Sequence, residues 1–104
     1  MIKKGIYAAV LLFLAIGCKK NDTTVVGFTP TCSGTKSYLV DVNPLLQTYC
    51  VGCHSQYSSY TKVKSDVSAI RSYIVNGSMP KGTSLTSDQK NKIVCWIDAG
   101  APNN

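Results

Sequence analysis

A chain of 104 residues has room for one small domain, and its net charge of +6 would point to nucleic acid or an anionic surface if the charge were spread over that domain. It is not: Lys3, Lys4, Lys19 and Lys20 all precede residue 31, and from Thr31 onward seven Lys/Arg stand against four Asp. No basic run is interleaved with stacking aromatics, so nucleic-acid binding is not expected. A domain below about 80 residues usually needs disulfides, a metal or a cofactor to hold it, and the five cysteines and single histidine supply the means.

Lys3 and Lys4 precede an apolar run from Gly5 to Ile16. Twelve residues are too few to span a bilayer, so residues 1–17 read as a secretory signal rather than a membrane helix. Leu14-Ala15-Ile16-Gly17-Cys18 resembles a bacterial lipoprotein processing site, with Gly17 before the cleaved bond and Cys18 as the lipid-bearing first residue. The alternative is an ordinary cleaved signal in which Cys18 is incidental. Residues 18–31 are polar and rich in Gly and Thr, and read as a flexible tether that leaves the domain itself at 32–104. The chain is then expected to be exported to a bacterial cell envelope, anchored to a membrane surface and facing the periplasm.

From Asp41, Val42, Leu45, Leu46 and Tyr49 recur at helical spacing, with Asp41 placed to cap and Pro44 in the first turn. This helix runs into Cys50-Val51-Gly52-Cys53-His54, the spacing of a c-type haem attachment site. On one helical turn residues i and i+3 share a face, so both sulfurs reach one porphyrin edge and His54, next in sequence, sits under the iron. Cys-x-x-Cys is also found in thioredoxin-type redox pairs and in zinc sites. The first lacks its β-α-β surroundings here and the second lacks another Cys/His pair.

Downstream, Ser59 is placed to cap a short helix through Lys64, and Ser65 or Asp66 to start another bearing Val67, Ile70 and Ile74, with Gly77 ending it in the left-handed conformation. Ser78 to Gly82 forms a loop that carries Met79. Thr86 then opens a last helix with Gln89 as its capping-box partner and Ile93, Trp96 and Ile97 on one face, stopped by Gly100 and Pro102. No comparable strand pattern occurs, and an all-α fold is expected.

In this order, the helix entering Cys50–His54, the Met79-Pro80-Lys81-Gly82 loop and the closing helix with Trp96 resemble the small class I c-type cytochromes, single-haem domains of bacterial membrane-anchored proteins. The resemblance covers about the last 65 residues. It implies a helical domain wrapped around one covalent haem c held by Cys50 and Cys53, with His54 and Met79 as axial iron ligands. Many members place a Gly and an aromatic where the first helix crosses the last; Val42 and Leu46 stand nearest here. The expected activity is one-electron transfer to unidentified redox partner proteins, by a carrier that is not an enzyme in its own right and that would also suit a subunit of a larger oxidoreductase complex. The alternative is a haem-based small-ligand binder or gas sensor with an open sixth site. A peroxidase-like enzyme is disfavoured because the chain has no Glu and no second His. Lys62, Lys64, Arg71 and Lys81 are candidates to rim the haem edge, and the Trp96 indole N–H would take a propionate as partner. Cys32 and Cys95, the two cysteines left over, read as a disulfide in an exported protein, the alternative being two separate thiols.

Overall fold

The computed structural model describes residues 27–104; the signal segment, Cys18 and most of the expected tether lie outside the described residues. Among the described residues the chain is helical, without a strand, and no helix is long and apolar enough to cross a membrane.

The first helical segment begins earlier than Asp41. Ser37 accepts from the Val40 amide through its hydroxyl (3.1 Å), while its own amide donates to the Asp41 carboxylate (2.8 Å), so the two residues cap the start reciprocally. Between them and Pro44 the backbone takes a wide π turn, Tyr38–Val42, in which the Asn43 amide reaches the Tyr38 carbonyl. Proline supplies the reason: its ring would clash with the carbonyl four residues back and it has no N–H to donate, so the preceding turn opens. Helix α1, Asn43–Tyr49, continues from there.

A 3-10 turn, Ser55–Ser58, leads to α2, Tyr60–Ser65, and α3, Val67–Val75. Helix α3 ends at Gly77, whose φ of +77° is a left-handed conformation that glycine adopts without cost. Helix α4, Ser87–Asp98, starts on a complete capping box between Thr86 and Gln89. It stops in a Schellman motif, with the Gly100 amide donating to the Ile97 carbonyl and the Ala101 amide to the Trp96 carbonyl (both 2.9 Å). Lys64 Nζ adds a donor to the carbonyl of Gly100.

The core holds Val42, Leu46, Ile70, Ile74, Ile93 and Trp96, as the helical spacing indicates, and also Tyr38, Val63, Leu85, Val94 and Ala101. Tyr38, from the turn ahead of α1, packs against α4. Its ring lies 5.4 Å from Trp96 and edge-on to Tyr60 at 5.0 Å. Trp96 donates its indole N–H to the Pro102 carbonyl (2.8 Å), and Tyr60 its hydroxyl to the Ala101 carbonyl (2.7 Å). The turn after α4 is thus its own hydrogen-bond partner for the tryptophan, which corrects the expectation of a propionate.

Four consecutive residues of α4, Ile93 to Trp96, are buried, more than a single stripe on a helix supplies. The extra cover comes from the N-terminal side. The Phe28 amide donates to the Val75 carbonyl (2.9 Å), the Thr31 amide to the Asn91 side chain (2.8 Å), and Cys32 is joined to Cys95 with sulfurs 2.05 Å apart. Lys90 lies over the Phe28 ring. Residues 28–32 therefore form a strap from the C-terminal end of α3 along α4, and the folded unit includes residues 28–31 ahead of Cys32. A polar, aperiodic stretch reads as a tether; its backbone amides, which composition does not reveal, are what tie it down.

Candidate functional site

Helix α1 delivers the Cys-x-x-Cys-His stretch. Cys50 is its C-terminal cap, and the amides of Cys50 and Val51 both donate to the Leu46 carbonyl (2.9 and 3.0 Å). The helix ends there, but the His54 amide still reaches the Cys50 carbonyl (2.8 Å), an i to i−4 bond that wraps the motif into one further turn.

Met79 arrives by another route. After α3 the Ser78 amide turns back to the Asn76 side chain (2.8 Å), which frees the Tyr73 carbonyl for the Met79 amide (3.2 Å). Met79 is thereby tied to the last turn of α3 by its own backbone.

These routes converge. Cys50, Cys53, His54 and Met79 all line one cavity of about 340 Å³, within the size range of small-molecule and cofactor sites. Its wall is mainly apolar, with Leu46, Ile70, Ile74 and Leu85 contributing from α1, α3 and the loop before α4. Cys50 and Cys53 are free thiols. Cys50 is half-buried, and its burial pushes the thiol pKa up from the usual value, so it stays protonated at neutral pH. Cys53 is exposed.

The charges stand elsewhere than expected. Of the four basic residues expected at the rim, Lys81 alone lines the cavity. Arg71 is engaged by Asp98 through two bonds (2.7 and 3.0 Å), Lys64 is held by the turn after α4, and Lys62 does not line the cavity. The Asp98 carboxyl is held below the usual carboxylate range by the hydrogen bond from Arg71.

Two residues that the sequence did not mark as part of a site are linked to the histidine: Tyr57, whose ring faces the His54 ring, and through it Asp66, which accepts from the Tyr57 hydroxyl (3.1 Å). Burial and this bond raise the Tyr57 pKa. A tyrosine three residues after the histidine was visible in the sequence, but nothing there linked it to Asp66.

A porphyrin suits this donor set. Two free thiols, an imidazole and a thioether on a mainly apolar wall are groups able to hold a haem covalently and ligate its iron, and a soft neutral sulfur is a poor ligand for a hard cation. Among the described residues no group of three or more His, Cys, Asp or Glu gathers as a metal site. No family model, no curated protein and no solved structure matches this chain.

Proposed function

We propose that this protein is a single-haem c-type cytochrome that carries one electron at a time. The observation that supports it is the convergence of Cys50, Cys53, His54 and Met79, from two stretches 25 residues apart, on one apolar cavity. Cys50 and Cys53 hold haem c through thioethers, and His54 and Met79 ligate its iron; the group so held supplies a metal that changes charge by one unit. The chain's own part is to keep both ligands in place in both states. Helix α1 and the turn after it fix Cys50 to His54, and α3 fixes Met79 through the Tyr73 carbonyl. The apolar side chains exclude water, which keeps reorganisation small as charge changes.

Outside the described residues, Cys18 is the lipidated anchor and the domain works on a membrane surface, exported to the cell envelope, where it passes electrons to partner proteins. In this oxidising location two free thiols are consumed either as a disulfide or as thioethers, and the second outcome is the one proposed.

The test is covalent attachment. Protein matured with a haem-attachment system is expected to keep its pigment through acid-acetone extraction, and Cys50→Ala with Cys53→Ala to lose it; complete extraction from the wild type refutes the proposal. Met79 separates carrier from gas sensor. The ferric protein is expected to show the far-red sulfur-to-iron band, and Met79→Ala to lose it and bind carbon monoxide readily. A wild type that lacks the band and binds carbon monoxide establishes the sensor instead.

A further inference from the structure

Asp66 sits at the junction of α2 and α3, as the N-cap residue of α3. An aspartate there ordinarily accepts a hydrogen bond from an amide of the first turn, a contact worth about 1 kcal/mol. Asp66 makes no such bond. Its carboxylate accepts instead from the Tyr57 hydroxyl at 3.1 Å, while the nearby Ser65 hydroxyl donates to the Lys62 carbonyl at 2.8 Å. A bond from a phenol to a carboxylate is charge-assisted, and at 3.1 Å this one is longer than the strongest of its kind, at about 2.5–2.7 Å, so it is a bond of moderate strength.

The ring thus held lies beside His54. The centroids are 5.5 Å apart and the planes differ by 35°, within the range of favourable aromatic pairs. Tyr57 is fixed at its other end as well, since its amide donates to the His54 carbonyl (3.0 Å). Both rings line the cavity. A histidine side chain turns about two bonds, and the terminal one has a broad torsional preference, so without a neighbour the imidazole samples many planes. A ring anchored at both ends and packed against it narrows that choice.

We propose that Tyr57, anchored by Asp66, is the positioning residue for His54 and sets the plane that the imidazole presents to the cavity. This rests on the reading of His54 as an axial ligand, because the plane matters to the group the imidazole binds. Partners that orient a ligating histidine are part of how a protein tunes a metal site. Here the orienting contact is an aromatic face rather than a hydrogen bond to the ring, and the lost helix cap is the cost of it.

The test uses the full chain matured with haem, as wild type, Tyr57→Phe, Asp66→Asn and Asp66→Ala. In the ferric protein the spread of the four haem methyl proton resonances reports the plane of the axial imidazole. Tyr57→Phe and Asp66→Ala are expected to change that spread and shift the reduction potential. Asp66→Asn, whose side-chain carbonyl still accepts from Tyr57, is expected to stay near the wild type. Unchanged spread and potential in folded Tyr57→Phe and Asp66→Ala overturn the proposal, as does an Asp66→Asn protein that behaves like Asp66→Ala. In the haem-free full chain, the His54 ring protons are expected to shift upfield under the Tyr57 ring current and to cross-relax with Tyr57, both more weakly in Asp66→Ala. If the chain takes up no haem, the cytochrome reading fails and this second measurement decides alone: the contact present and weakened in Asp66→Ala sustains the positioning role, and its absence in the wild type overturns it.

Discussion

Cutting the strap free of α4 tests how much of the fold depends on it. The Cys32–Cys95 bond closes a loop with a sequence separation of 63, and in the chain-entropy model releasing a loop of that length returns ~4 kcal/mol of freedom to the unfolded state. That is a large share of the ~5–15 kcal/mol by which domains are ordinarily stable. Cys32→Ser is the cleaner cut, since Cys32 is exposed and its partner remains as a small buried thiol. Cys95→Ser leaves a hydroxyl in a position only 6% exposed and is expected to lose ~1 kcal/mol more, the cost of burying it without a partner. Urea unfolding of the full chain at neutral pH measures both. The midpoint should fall sharply and the denaturant slope should rise, because the unfolded chain without the bridge exposes more surface. The haem spectrum of both variants should stay close to the wild type, since neither cysteine lines the cavity. A stability loss below ~1 kcal/mol in Cys32→Ser, or two thiols alkylated in the native protein without reductant, refutes the reasoning.

Three further outcomes follow from the same geometry. In haem-free protein, iodoacetamide at pH 7.5 (about one unit below the usual thiol pKa) should label exposed Cys53 before Cys50, whose pKa burial raises; peptide mapping that finds equal rates contradicts this. The Arg71–Asp98 pair lowers the Asp98 pKa in the folded state, so its contribution is present above the carboxyl's unfolded pKa and fades as pH falls through the lower folded one. With both side chains more than a third exposed, Arg71→Ala should cost no more than ~0.5 kcal/mol at neutral pH, less in high salt, and nothing once Asp98 is protonated; a loss that persists in strong acid shows that packing, not charge, is involved. Gly77→Ala places a Cβ where φ is +77°, with open space around it, so the cost of about 1 kcal/mol is conformational alone; thermal unfolding that is unchanged would show that the turn relaxes.

The helices were legible where a local signal marks them. Thr86 and Gln89 announce α4, Gly77 closes α3, and the spacing of Val42, Leu46, Ile70, Ile74, Ile93 and Trp96 finds half of the core. The Cys-x-x-Cys-His stretch and Met79 were legible as residue types at a spacing, and the structure adds that their side chains line a common cavity. What escaped was carried by tertiary contact. Val94 is buried on the flank of α4 away from its apolar stripe because the chain wraps that helix on more than one side. Ser37, not Asp41, opens the first helical segment because a reciprocal pair of hydrogen bonds and a wide turn upstream of Pro44 extend it by a turn. Arg71 and Lys64 read as candidates for the rim of the site and are committed instead to Asp98 and to the end of α4.

The same contrast explains how so short a chain arranges its cavity. The Cys50–His54 stretch follows the C-terminal end of α1, and Met79 follows that of α3. Helix ends leave carbonyls without partners, and in both places the chain carrying the functional residues fills them: Cys50 and Val51 take the Leu46 carbonyl, and Met79 takes that of Tyr73. Leu46 and Ile74, beside those carbonyls, are almost fully buried, so each tie is made to a part of the helix that packing already fixes. The strap reaches α3 two residues beyond Tyr73, where Phe28 binds the Val75 carbonyl, and its disulfide joins that end to α4. Little of the domain's limited core is therefore needed to hold the loops themselves. Backbone bonds at two helix ends place the cavity side chains, and behind them the strap and its disulfide tie the end of α3 to α4.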